Sequence, residues 1–356
     1  MKSKKFLICL LTSFYLVLLI IGLTMYYIDP AFHYHKPLKN IAYVQVSEYF
    51  QNDGIMKYFD YDAVITGTSM TENFKTSELD DLFGTNSIKV PLSGESFYGV
   101  NNGLKVAFSS KNEIKMVVRA LDIDLIIKGK DELTRSKEYY PTYIHDNNLF
   151  NDVNYVFNKD FLIEYLFPTI INTINKKKMF TFDEYANWME GDVFGKEVLD
   201  SIYVRDTNKK EKVEFSEDDL NMVLENIKQN LIQIAIDNPN TEFYYFIPPH
   251  SIYYFDRENQ NGTLEEKLSA VKVVYEEITK IENIHLFSFL DDFDLICDLN
   301  NFKDFTHYGE WVNSYILQCL KQNEHLITVD NYLDNYEKIL EFYSTYDYDA
   351  LFINEN

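Results

Sequence analysis

The chain has little of what builds metal sites and disulfide frameworks. Three cysteines occur in 356 residues, and none stands in a C-x-x-C or C-x-x-H spacing. That argues against a structural zinc site. Cys9 lies in an apolar N-terminal run; Cys297 and Cys319 could pair, although spacing does not establish it. So few thiols suit a bacterial surface protein that folds without disulfides. Basic residues are also scarce, with 33 Lys and Arg against 56 Asp and Glu, a net charge of −23. The first 28 residues hold Lys2, Lys4 and Lys5 and no acid, so the remainder carries about −26. A body that acidic repels phosphate backbones, and no nucleic-acid partner is expected. Glycine (12) and proline (8) are too sparse for a collagenous or low-complexity chain. Internal repeats are absent. Hydrophobic residues make up 46% and aromatics 16%, mostly Tyr and Phe, which suits a packed, tyrosine-rich globule. The length fits a short anchor plus one large domain, or two modest domains.

Phe6 to Ile28 is free of charge over 23 residues. At 1.5 Å per residue that crosses a hydrocarbon core of roughly 30 Å. Three lysines precede it, and Asp29 and Pro30 follow. Lysines stay on the cytoplasmic side, which predicts a single-pass helix in a bacterial cell membrane, N-terminus inside and body outside. A cleaved signal peptide would have a shorter apolar core and small residues before the cut; here the run ends in Met25, Tyr26 and Tyr27. Residues 29–60 read as a connector. His33 and His35 flank Tyr34 there, but two imidazoles with no third ligand nearby fit an interfacial segment better than a metal site.

Beyond the connector, strand-like runs alternate with helical ones. Strands are expected at 62–67, 87–92, 114–126, 242–249 and 284–290, and helices at 98–110, 263–282 and 308–322. Such alternation predicts an α/β fold, a three-layer parallel sheet flanked by helices, over 61–126 and 236–325. Residues 127–235 are rich in Asn, Lys, Asp and aromatics, with helical pieces at 160–177 and 217–236. They read as an insertion or cap. The acidic, Tyr-rich tail at 326–356 reads as a helix packed on the outside.

Two short motifs carry chemistry. Gly67-Thr68-Ser69-Met70 follows the first core strand, so Ser69 sits on the turn leaving a parallel strand, where reactions gather. There a hydroxyl lies near free N–H groups that can serve an oxyanion. Asp304 and His307 stand in D-x-x-H spacing just before the helix at 308–322. An acyl-transfer serine needs a base, and the base needs a carboxylate to fix its tautomer. The plainer reading of each motif is a turn and a helix cap. His250, after the strand ending in Pro248-Pro249, is a reserve base or a substrate contact.

Ser early, with Asp and His late and three apart, resembles the SGNH (GDSL-like) hydrolase superfamily. The α/β-hydrolase pattern differs, with G-x-S-x-G and a distant Asp and His. The resemblance spans about 60–125 and 240–322. It implies Ser69 as nucleophile, His307 as general base and acid, and Asp304 as its orienter, with backbone N–H groups of Ser69 and Gly94 as oxyanion donors. Among its members the chain is most similar to membrane-anchored cell-envelope proteins, such as the D-alanyl transfer protein of teichoic acid modification and the alginate O-acetylation proteins. That implies an O-acyltransferase or esterase working on a surface polysaccharide or teichoic-acid-like polymer. It also implies no metal or nucleotide cofactor, and a membrane acyl-export protein as a partner. One departure is plain: the superfamily's middle Asn is missing, and Asp122 and Asp124 stand near its place. A carboxylate opposes a developing oxyanion, so Asp122 is read as structural or substrate-proximal. That departure keeps a second reading open, a non-catalytic envelope scaffold on the same fold. Trp188 and Tyr185 could wall a sugar-binding cleft or simply pack a small core.

Overall fold

Short runs rich in β-branched and aromatic residues become the strands of one sheet. They are β1 (Ala63–Thr66), β2 (Ser87–Lys89), β3 (Met116–Ala120), β4 (Glu242–Ile247), β5 (Ile284–Ser288) and β6 (Leu326–Ile327). The computed structural model describes residues 2–135, 141–146, 148–206 and 208–352. The six strands are ordered β2-β1-β3-β4-β5-β6. All pairings are parallel except β5 with β6, which is antiparallel. β1 and β3 are buried along their whole length, as expected of strands covered by helices on both faces.

The chain divides into two compact units, Met1–Phe59 with Ser136–Tyr185, and Asp60–Arg135 with Ala186–Asn356. The sheet belongs to the second. There the long run at 114–126 is not one strand: β3 ends at Ala120, and Ile123–Ile126 turns into a short helix. The stretch 127–235, expected as one insertion, is divided between the units. Its second half acts as a layer of the α/β unit for a simple reason. β3 and β4 are adjacent and parallel, and joining them requires a crossover. Helical residues 217–237 supply it, burying Val223, Ile227 and Leu231. Asn226 Nδ2 donates to Leu125 O (3.0 Å) and Ile126 O (3.1 Å), and Tyr245 Oη donates to Leu231 O (3.0 Å). The tail contributes β6 and the helix Tyr332–Thr345, whose Tyr343 is buried and donates to Leu290 O at 2.7 Å. Its last four residues, 353–356, lie outside the described residues. Cys297 and Cys319 are free thiols.

In the first unit, α1 (Lys2–Ile28) is long and apolar enough to cross a membrane. Residues 29–59, expected as a connector, are packed. Asp29 is buried at the end of α1. Its Oδ1 accepts from His33 N (2.9 Å) and Tyr155 Oη (2.8 Å), and its Oδ2 accepts from Tyr34 N (2.7 Å) and His35 N (3.1 Å). The two histidines are spent on protein contacts. His33 Nε2 lies 3.3 Å from Asp152, and the ring nitrogens of His35 lie 2.7 Å from Lys36 O and 3.1 Å from Tyr26 O.

Candidate active site

In the strand order 2-1-3-4-5 the direction of winding reverses between β1 and β3, and ligands bind outside the carboxyl ends of strands at such a reversal. Ser69 follows β1 and Asp122 follows β3. Gly67 makes the turn possible. Its φ is +145°, and a Cβ there would meet Thr71 Cγ2 at 2.9 Å and Ala120 Cβ at 3.1 Å. Ser69 then opens a 3-10 turn, Ser69–Thr71, whose first N–H groups lack intrahelical acceptors. The turn is tied down from several sides. Thr71 N donates to Thr68 O at 3.0 Å, and Thr71 Oγ1 does so at 2.8 Å. Met70 O accepts from Asn313 Nδ2 at 3.3 Å and from Tyr308 Oη at 3.5 Å. Lys89, fully buried on β2, donates Nζ to Glu72 O and, at 2.9 Å, to Phe74 O.

The D-x-x-H loop is a closed turn. Phe302 bridges to Tyr308, and Lys303 N donates to His307 O at 3.0 Å. Asp304 uses its two oxygens differently. Oδ1 accepts from Thr306 N (2.9 Å) and His307 N (2.8 Å), while Oδ2 lies 2.7 Å from His307 Nδ1. The cap and the orienter, posed by the sequence as rivals, are the same carboxylate. His307 Nε2 lies 2.8 Å from Ser69 Oγ. Burial would raise the Asp304 carboxyl, but the His307 ring, its charge and the two backbone donors outweigh burial and lower it to about 2. An ionised Asp304 accepts only, so it holds the proton on Nδ1 and leaves Nε2 bare toward Ser69.

Ser69, Gly94, Asp122, His250 and His307 line one cleft of about 160 Å³. Gly94 has φ +67°, and Arg135 Nη2 lies 3.3 Å from where its Cβ would be. Asp122 is not an isolated carboxylate opposing an oxyanion. Its Oδ2 accepts from Thr68 Oγ1 at 2.5 Å. Burial raises its carboxyl to about 6, against the lowering effect of the Thr68 bond, and Asp124 adds to the rise. His250 is 2% exposed and its Nδ1 has no partner among the described residues. Burial lowers it to about 4, so it is neutral at physiological pH. Beside it, Tyr254 Oη donates to Asp124 at 2.8 Å, and Lys267 Nζ lies 2.5 Å from the same oxygen.

The two aromatics part company. Tyr185 is buried and donates to Asn52 Oδ1 at 2.9 Å, so it packs a core. The rings of Trp188 and His307 are near-perpendicular with centroids 5.6 Å apart, and Lys303 Nζ lies 3.5 Å from the Trp188 centroid. Thr68, Lys89, Tyr308 and Asn313 carry no motif of their own in the sequence. Only Thr68, inside the Gly67–Met70 motif, and Tyr308, next to His307, have any signal there.

No family model matches the chain, and no curated protein matches it. One solved structure of similar shape bears the description "The structure of a putative platelet activating factor from Streptococcus pneumonia". It is 12% identical, the match covers 78% of this chain and 91% of that one, and the TM-score is 0.40.

Proposed function

We propose that the chain is an extracytoplasmic, serine-dependent acyl hydrolase or O-acyltransferase of the SGNH class, held to the cell membrane by α1 with its N-terminus inside. The observation that carries this reading is the line Ser69 Oγ, His307, Asp304, with contacts of 2.8 and 2.7 Å at the carboxyl end of β1. Ser69 Oγ attacks the acyl carbonyl and its proton passes to His307 Nε2. Backbone N–H groups of Ser69 and Gly94 receive the oxyanion. The intermediate collapses, the ester C–O bond breaks, and His307 returns the proton to the leaving alcohol. His307 then takes a proton from the acceptor hydroxyl, which attacks the acyl-serine; the acyl–Oγ bond breaks, and His307 Nε2 returns the proton to Ser69 Oγ. A sugar or alditol hydroxyl makes this transfer, and water makes it hydrolysis. The acceptor is a cell-surface polysaccharide or teichoic-acid-like polymer, with a membrane acyl-export protein as the donor's source. No step calls on a cofactor.

Asp122 favours a second reading, a non-catalytic envelope scaffold, because it stands where a neutral amide donor is expected. A fluorophosphonate probe separates the two. The enzyme reading expects labelling that Ser69→Ala abolishes; folded protein that takes no label overturns it. Turnover of p-nitrophenyl acetate with and without wall polymer then tells transferase from esterase. If every acyl group ends as free acid while the polymer loses its own esters, transfer is wrong.

A further inference from the structure

The unit that contains α1 also exposes an apolar face that α1 does not account for. The helical stretch Phe161–Leu166, continuing as Phe167–Ile174, has two sides. Phe161, Leu166 and Thr169 are buried, and Thr169 Oγ1 and Thr173 Oγ1 accept from Val44 N (3.3 Å) and Ala42 N (2.9 Å). On the other side Ile163, Phe167, Ile171 and Ile174 are each more than half exposed, at spacings of a single helix face. Leu149, Phe150 and Val153 are exposed as well, Phe150 at 94%. Water-facing surfaces seldom gather so many large apolar groups.

Two observations say what covers this face. The first is depth. A Cβ on Gly22 of α1 would lie 3.8 Å from Val156 Cγ1 and 4.0 Å from Phe157 Cζ. Gly22 is six residues before the end of α1, which is about 9 Å at 1.5 Å per residue. Where α1 crosses a bilayer, Val156 and Phe157 therefore sit about 9 Å inside its exit point, and interfacial helices bury their apolar faces by roughly 5–10 Å. The second is charge. Lys159 and Lys176, Lys177 and Lys178 are exposed near the two ends of the 161–174 helix. Residues 1–59 and 136–185 hold 11 Lys against 10 acids, whereas the rest of the chain holds 22 Lys and Arg against 46 acids. Basic groups at the rim of an apolar face suit anionic lipid.

We propose that residues 149–157 and the helix at 161–174 form a second membrane contact, lying in the headgroup–acyl boundary beside α1 with bilayer lipid as the occupant. This rests on α1 being a spanning helix. The test uses the full chain in lipid vesicles whose acyl chains carry bromine, a contact quencher of tryptophan. Phe150→Trp and Phe167→Trp probe the face, Tyr15→Trp probes α1, and Val329→Trp, exposed on the other unit, probes water. Each is read against the parent with its Trp188 and Trp311. The face probes should emit at shorter wavelength and lose at least about half their added intensity, more with bromine high on the chain than low, as interfacial depth requires. Val329→Trp should be unaffected. Quenching of Tyr15→Trp without quenching of either face probe overturns the proposal and leaves the anchor standing. A blue shift without quenching means that protein covers the face, and it overturns the proposal too. An unquenched Tyr15→Trp removes the anchor reading, and this proposal with it.

Discussion

The two units differ in what they do with charge. The α/β unit carries 24 more acids than bases and spends several of its ionisable groups inside the fold, as with Lys89 on two carbonyls and Asp304 on His307. The α1 unit is nearly neutral by sum, with one more base than acids, and Lys159, Lys176, Lys177 and Lys178 lie exposed on it. One unit uses charge to fix the geometry of the candidate site. The other buries a few carboxylates, Asp29 and Asp53 among them, as structural acceptors and ion-pair partners, and exposes apolar surface. In the first, removing one group should stop chemistry; in the second, it should loosen structure and leave chemistry intact.

The largest effect expected is in the α/β unit. Ser69→Ala should lower ester turnover by about 10⁴-fold or more, since removing the nucleophile leaves only the residual effects of binding and oxyanion donors. His307→Ala should cost at least about a hundredfold, and His250→Ala much less. Loss of activity in folded His250→Ala comparable with that in His307→Ala would assign the base wrongly here.

The α1 unit is broken at Asp29. Asp29→Ala leaves three backbone N–H groups and Tyr155 Oη without their acceptor. The unit should lose about 3 kcal/mol, seen as faster amide exchange at residues 33–35, while kcat for a small ester stays within about twofold. A matching fall in kcat would mean that the two units do not divide the work in this way.

Asp122→Asn sharpens the contrast from the other side. Asp122 in the folded chain titrates near 6, above the ordinary range for an aspartate, so its ionisation opposes folding. Its stabilising share is whole below about pH 4 and is lost as pH rises through 6. The amide is neutral throughout. The variant should therefore be more stable than the parent by about 2 kcal/mol at pH 8, after allowance for partial exposure, and no more stable at pH 4. Urea unfolding of the full chain in detergent at the two pH values reads this directly, and equal stability at pH 8 contradicts it. The smallest effect is reserved for Trp188→Ala, which should raise KM for a polymeric acceptor about fivefold, roughly 1 kcal/mol, with no change for p-nitrophenyl acetate.

The groups that meet at the candidate site are legible where the physics is local. Ser69 is marked by a glycine that must turn sharply after a buried strand. Asp304 and His307 are marked by a spacing that lets one carboxylate hold both a backbone and a ring. The five parallel strands are legible too, because each is a short run rich in β-branched and aromatic residues, although the end of β3 is not: the run at 114–126 breaks after Ala120. What the sequence hides depends on partners far along the chain. Nothing near Lys89 says that its ammonium reaches the carbonyls of Glu72 and Phe74. Nothing near Asp122 says that Thr68 will hydrogen-bond it. Tyr185 and Trp188 look alike as aromatics three positions apart, and only packing sends one inward and leaves the other against His307. The helix at 217–237 shows its period but not the sheet it must cover, so the sequence alone groups it with the wrong half of the chain.

The four hydrogen bonds on Asp29 also bear on mechanics. A hinge after a spanning helix would let the helix lean while the segment beyond it stays level. Here the last turn of α1 ends in a weld, with Met25, Ile28 and Asp29 all buried and the carboxylate holding residues 33–35 and Tyr155. If α1 spans a bilayer as proposed, a tilt imposed on it by a thinner or thicker bilayer would be handed on to its unit as a rotation, with the helix as the lever arm.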